Sequence, residues 1–236
     1  MHIKKYSNDD QQYEKLTADL YNNFKDIVLP PEYANFVQNN SIQLLIRLAR
    51  YKFVSRMIRP RDRVLEIGSG SGLGATFLGQ HCNSVTGIEI KSREVEEARS
   101  INRRDNVDFK LVNFFDYSVD EKFDAIVSLD VIEHVDEDAG RKFMEKTVQH
   151  LNNDGMVIVG TPSCYSYEYQ SEPSKAAHVK LYDQQELVEM VEKYYGRVIV
   201  FSMNDEMVHT GHPKLAWYYF AMAFIPKNDS YKHVKE

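Results

Sequence analysis

Val64-Leu65-Glu66-Ile67-Gly68-Ser69-Gly70-Ser71-Gly72-Leu73-Gly74 (VLEIGSGSGLG) runs from a short apolar stretch into alternating glycines and then into a helical pattern. A strand entering such a loop turns tightly, because glycine tolerates backbone angles closed to other residues and lets a ligand approach the chain closely. The start of the following helix offers unpaired N–H groups. Gly68, Ser69, Gly70 and Gly72 therefore form a candidate contact for a small ligand.

Outward from this loop, short apolar runs alternate with helical stretches. The pattern predicts strands at Val64–Ile67, Val85–Ile90, Val107–Val112, Ala125–Leu129 and Met156–Thr161, with helices at Leu73–Gln80, Ser92–Arg103 and Glu137–Leu151. That alternation marks an α/β protein with a doubly wound, mostly parallel, Rossmann-like sheet. The ending differs: a capping box of Asp183 and Glu186 opens a helix that Gly196 is expected to stop. Arg197–Met203 and Leu215–Ile225 then read as two successive strands, an antiparallel hairpin on one sheet edge with the last strand antiparallel.

Upstream, Ser7 and Asp10 resemble a capping box, and Tyr13, Leu16, Leu20, Phe24 and Ile27 recur at helical spacing until Pro30. A second helix is expected from about Tyr33 to Met57, its apolar face carrying Phe36, Val37, Leu44, Leu45, Leu48 and Val54. These helices suggest an amino-terminal cap over residues 1–60, ahead of a ligand-binding domain over residues 61–236. A polar, tyrosine-rich stretch at about 162–180 reads as a cap loop within that domain.

The 236 residues carry 29 Lys+Arg against 35 Asp+Glu, a net charge of −6, with 43% hydrophobic residues. This is the composition of a folded globular chain. The acidic balance disfavours nucleic acid as partner, since neutralising phosphates needs a positive field. Cys82 and Cys164 lie far apart with no Cys-x-x-Cys, so a disulfide framework is not indicated and a reducing, cytoplasmic setting is expected. The charged amino terminus lacks the apolar core of a secretory signal, and the longest apolar run, Leu215–Ile225, falls short of the roughly 20 residues of a membrane helix. A small molecule is the expected partner, with no membrane involvement. A homodimer is compatible with the sequence.

Three ligand classes compete for the glycine loop. The phosphate loop of nucleotide hydrolases needs a Gly-Lys-Ser/Thr that is absent. A dinucleotide stays open, because Gly70, Gly72 and Ala75 can be set in a G-x-G-x-x-A register, although late. Charge separates this from S-adenosylmethionine. Glu66, Glu89 and Asp130 sit at or just past strand ends and should converge on the crest of the sheet. A pyrophosphate is repelled there, whereas a sulfonium and an ammonium are favoured. Glu89 suits the two ribose hydroxyls, and Glu66 the ammonium, directly or through water.

With these residues in place, the chain resembles the class I S-adenosylmethionine-dependent methyltransferases from about Arg61 to Pro226. The resemblance rests on VLEIGSGSG, on GIEI ending at Ile90, on FKLVNFFD and on FDAIVSLDVIEHV, in that order. It implies that Asn113 bonds the adenine amino group where the family usually has Asp, that Phe114 lines the ring, and that Ile90, Leu129 and Asp130 face the cofactor. DVIEHV and HVKLYDQQEL are similar to the ubiquinone-biosynthesis O-methyltransferases and their small-molecule relatives. That similarity implies that Asp130, Glu133 and His134 match a cluster able to hold a divalent metal ion.

Methyl transfer to a hydroxyl needs in-line positioning and removal of a proton. His134 and His178 are the candidate bases, as imidazole titrates near neutral pH. His209 and His212 read as a solvated turn, and Tyr165, Tyr167 and Tyr169 alternate as on a strand, able to stack on a ring or sugar face. No Asn/Asp-Pro-Pro-Tyr/Phe follows the fourth strand, which disfavours base and amide methylation. The expected activity is O-methylation of a small polar metabolite, such as a sugar or glycan precursor. N-methylation of an amine or amino sugar, a dinucleotide-dependent oxidoreductase or epimerase, and a non-catalytic binding module are the alternatives.

Overall fold

The computed structural model describes residues 11–228. In chain order the elements are α1 (Gln11–Phe24), α2 (Pro31–Asn39), α3 (Ser41–Met57), β1 (Arg63–Ile67), α4 (Leu73–Leu78), β2 (Ser84–Glu89), α5 (Ser92–Ile101) and β3 (Val107–Leu111). There follow β4 (Phe123–Leu129), α6 (Glu137–His150), β5 (Leu151–Pro162), α7 (Glu172–Ala177), α8 (Gln184–Glu192), β6 (Tyr195–Asn204), β7 (Met207–His209) and β8 (Tyr218–Pro226). Among the described residues these strands form one sheet in the order β3-β2-β1-β4-β5-β8-β6-β7. The first five are parallel to one another. β8 runs antiparallel between β5 and β6, so the antiparallel pair expected at one side of the sheet is present, with β8 on its inner side and the short β7 outermost.

The sheet is covered on both faces, and its sequence shows why. Along β4, Ala125, Val127 and Leu129 enter one apolar cluster while Ile126 enters the other; along β5, Met156 and Ile158 alternate in the same way with Val157 and Val159. Period-two alternation with both sets apolar is what a doubly covered strand requires. One cluster gathers Phe143 and Met144 of α6 with Leu187 and Met190 of α8. The other gathers Tyr51 and Val54 of α3 with Leu78, Val95 and Ala98. Strand order reverses direction between β1 and β4, which opens a crevice at the carboxyl ends of these two strands.

Several local expectations are corrected. The single helix expected from Tyr33 to Met57 is two helices, because Asn40 leaves helical geometry (φ −155°, ψ 65°) and its side chain caps α3 by accepting from the Gln43 N–H. The restart changes the buried face: Val37 and Leu45 are exposed, and Ile46, Tyr51 and Val54 are buried. Gly196 does not end α8, which stops at Glu192; it lies within β6. Cys164–Tyr169 is a 3₁₀ turn, not a strand, with Ser163 accepting from the Tyr165 N–H at its start. The Asp183/Glu186 capping box is present. The Ser7/Asp10 pair lies outside the described residues. No helix among the described residues is long and apolar enough to cross a membrane.

Candidate active site

A cavity of about 760 Å³ lies over the crevice between β1 and β4, within the range of small-molecule sites. The glycine loop forms its floor. Gly68 has φ +73°, and a Cβ there would lie 2.4 Å from Val131 Cγ2; Gly72 has φ +82°, and its Cβ would meet Ala98 and Phe109 within 3 Å. Both positions thus demand glycine on torsional and steric grounds. α4 has only six residues, Leu73–Leu78, and ends short of the Gln80 expected from sequence.

Carboxylates do more of the shaping. Glu89, at the end of β2, accepts from the Ile90 N–H at 2.8 Å and from the Gly70 and Lys91 N–H groups at 3.1 Å each. It thereby fixes the loop and lines the cavity at once. Asp130, just past β4, adopts φ +58°, which aspartate tolerates better than most residues. Its Oδ2 accepts from Arg50 Nη1 at 2.5 Å, and the Arg50 guanidinium lies 3.9 Å from the Tyr218 ring centroid. Arg50 Nε is buried without a partner. The far wall comes from the amino-terminal helices: Tyr33, Arg47, Arg50 and Tyr51 all line the cavity, and Arg47 pairs with Glu32 at 2.8 Å.

Of the residues expected from sequence, Gly68, Ser69, Gly70, Glu89, Ile90, Asn113, Phe114, Leu129, Asp130 and His134 line this cavity. Gly72, Glu133 and His178 do not, and neither does Glu66. Asn113 Oδ1 already accepts from the Phe115 N–H at 3.0 Å, leaving its second lone pair for a ligand. Tyr13 is exposed, while Tyr33 is both buried and part of the wall. His209 bonds Asn204 and lies outside the cavity, as does His212. Sequence reasoning missed Arg47, Arg50 and Tyr51. Their signal was there to read: two arginines at i, i+3 on a largely apolar helix just ahead of β1.

Glu66 is fully enclosed beside Tyr51, and neither carboxylate oxygen completes a hydrogen bond. Burial raises its pKa from the usual 4.5 to about 8; the Tyr51 hydroxyl and Ala75 N–H offset this only in part, and Glu89 adds to it. Between those two pH values the folded protein holds a proton that the unfolded chain releases, so stability falls as pH rises through this window. Glu66→Gln removes that dependence. Urea denaturation should show the variant matching the parent near pH 4.5 and exceeding it by about 2 kcal/mol at pH 8.5, after discounting the full linkage for relaxation. A parent as stable at pH 8.5 as at pH 5, relative to the variant, would refute the buried acid.

Two imidazoles meet at the opposite wall, with His134 and His178 centroids 5.2 Å apart, edge to face. His134 Nδ1 lies 3.0 Å from the Ala177 carbonyl, and His178 Nδ1 lies 2.8 Å from Gln170 Oε1. Gln170 Nε2 donates to Ser166, which fixes the amide's orientation. Since carbonyl oxygens only accept, both Nδ1 atoms carry a proton, so in each neutral imidazole Nε2 is the nitrogen with the free lone pair. Burial, then His134, lowers the pKa of His178. Glu133, His134 and His178 each offer a ligand atom within 4.8 Å of the others. Asp130 is engaged by Arg50, so the trio differs from the Asp130, Glu133 and His134 set inferred from sequence.

Residues 64–155 match a family model described as a methyltransferase domain. A ubiquinone biosynthesis O-methyltransferase of Rickettsia canadensis is 29% identical over 103 residues, which cover 42% of this chain and 42% of that protein. The chain thus matches about two fifths of the length of these curated relatives. Among solved structures, one described as a possible histamine N-methyltransferase from Thermotoga maritima superposes with a TM-score of 0.64 at 19% identity, covering 82% of this chain and 94% of that one. The N-methyltransferase NodS of Bradyrhizobium japonicum, in complex with S-adenosylhomocysteine, does so with 0.59 at 17% identity, covering 77% and 88%. At these identities the structures speak to fold alone. Sheet order, glycine loop and acidic strand ends agree with the matched stretch: residues 64–155 are similar to a methyltransferase domain, on a fold shared with solved methyltransferases.

Proposed function

We propose that the protein transfers a methyl group from S-adenosylmethionine to a hydroxyl of a small polar metabolite, with His134 accepting the proton. The observation that carries the O-methyl reading is the placement of His134. It lines the cavity, its Nδ1 proton is held by the Ala177 carbonyl, and its Nε2 is left as a base. The residues also fit the cofactor. Glu89 keeps one of its roughly four lone-pair sites for a ribose hydroxyl. Asp130 supplies negative charge for the ammonium, and the unpartnered Arg50 Nε suits the methionyl carboxylate. When bound, the cofactor supplies the electrophilic methyl group. The protein orients it and excludes water with Tyr33 and Tyr51 of the amino-terminal cap.

Calorimetric titration tests the cofactor reading. S-adenosylhomocysteine should bind with micromolar affinity and NAD should not bind; the reverse result overturns it. Methyl transfer is then read by radiolabel incorporation into a panel of hydroxylated metabolites.

A specific observation favours a second role at this wall. Glu133 is fully buried, its Oε2 accepts from the Thr161 hydroxyl at 3.0 Å, and its Oε1 has no partner. Burial and the neighbouring Asp130 push its pKa to about 8. Metal binding would displace the carboxyl proton, and the resulting carboxylate with two neutral imidazoles suits a divalent transition ion. Glu133, His134 and His178 would hold it, and it would supply polarisation of the acceptor hydroxyl. Chelator-treated protein titrated with Mn²⁺ or Zn²⁺ is expected to bind one ion, and Glu133→Gln to lose at least tenfold in affinity, as removal of one ligand from three does. No binding at millimolar metal would eliminate this role.

A further inference from the structure

The three tyrosines of the cap stretch remain unused by the reading above, and one of them has a partner that the sequence did not reveal. Tyr169 and Trp217 pack ring to ring, centroids 6.3 Å apart and planes 22° from parallel. Both are open to solvent, at 79% and 46% exposure. The Trp217 backbone is fixed, its carbonyl accepting from the Ser163 N–H at 2.9 Å and its N–H donating to the Met203 carbonyl at 3.2 Å, and Tyr169 ends the 3₁₀ turn Cys164–Tyr169. An exposed aromatic pair on an ordered frame loses little entropy when a ring stacks on it.

Position gives the pair a meaning. Trp217 immediately precedes Tyr218, whose ring lies under Arg50 of the far wall, and Tyr169 lies on the segment that delivers Ala177 to the imidazole wall of the same cavity. From the Asp130 turn after β4, the crest continues through β5 to β8. Two strand spacings make this roughly 10 Å, about the length of two linked sugar rings. Glu89 lies on the other side of that turn, at the end of β2, so the aromatic pair belongs to the acceptor end of the crest.

We propose that Tyr169 and Trp217 form a stacking subsite for the distal pyranose ring of an extended, hydroxyl-bearing acceptor, whose nearer ring carries the hydroxyl presented at His134. This rests on the methyl-transfer reading for the role of the nearer ring, but binding at the subsite is measurable without turnover. Sugar rings present C–H groups to aromatic faces, and the near-parallel rings supply such faces on a solvent-accessible rim.

Trp217 is the chain's single tryptophan, so its emission reports this subsite alone. The full chain is titrated with methyl β-glucopyranoside, methyl β-galactopyranoside and methyl α-mannopyranoside. At least one should shift the emission saturably in the millimolar range. Tyr169→Ala, at an exposed position, should raise the half-saturation about fivefold, with S-adenosylhomocysteine affinity unchanged by calorimetry. No saturable shift with any of the three overturns the proposal. So does a shift that Tyr169→Ala leaves intact, or an emission that varies with protein concentration alone, which would mark the pair as a contact between copies. Loss of S-adenosylhomocysteine binding by the parent protein would strike the methyl-transfer reading instead.

Discussion

Glu89→Ala is expected to weaken S-adenosylhomocysteine binding about 100-fold, while the melting temperature of the free protein moves by only a few degrees. Three of the carboxylate's roughly four lone-pair sites are taken by loop N–H groups, so Glu89 accepts one ribose hydroxyl directly, a bond worth about 1.5–3 kcal/mol when the acceptor is charged. Glu89 also accepts from three backbone N–H groups of the loop, so alanine loosens the floor of the cavity as well. Glu89→Gln separates the two contributions. It keeps one carbonyl acceptor but loses the charge, and should cost about tenfold. Calorimetry checks both variants. A loss under threefold for the alanine variant would mean that the ribose lies elsewhere and that Glu89 serves the loop alone.

The fold was legible because its signals are local and redundant. Most parallel strands are apolar runs buried on both faces, β3 buries one face only, and helix-period stretches separate them, so the element order from Val64 to Thr161 could be read by pattern. The glycines were legible because positive φ leaves few other residues available. Tertiary choices were not. Nothing in the run Leu215–Ile225 says that β8 inserts between β5 and β6, since both placements bury the same side chains. Asn40 looked like one more polar residue in a long helix, yet its side chain caps a new one. The site divides along the same line. Residues at strand ends were found, whereas Arg47, Arg50 and Tyr51 reach the cavity from a helix that sequence alone assigned only to a cap, and His178 meets His134 across a chain separation no pattern encodes.

His134→Asn is expected to lower the turnover of a hydroxyl acceptor about 1,000-fold with little change in cofactor affinity, since a positioned base contributes roughly 10²–10⁴. Asparagine is the chosen replacement because its amide can still donate to the Ala177 carbonyl, preserving the link between the β4 turn and the cap segment that His134 Nδ1 now makes. What it removes is the Nε2 lone pair. His178 stands outside the cavity wall, so if the role is that of a base, His178→Asn should cost no more than about tenfold, through the orientation of its neighbour. If both imidazoles instead act as metal ligands, the two variants should lose activity equally and both should lose metal affinity. An amine acceptor gives a third pattern: a neutral amine attacks without a base, so both variants would turn over within a few-fold of the parent, and the proposal of hydroxyl methylation would fall.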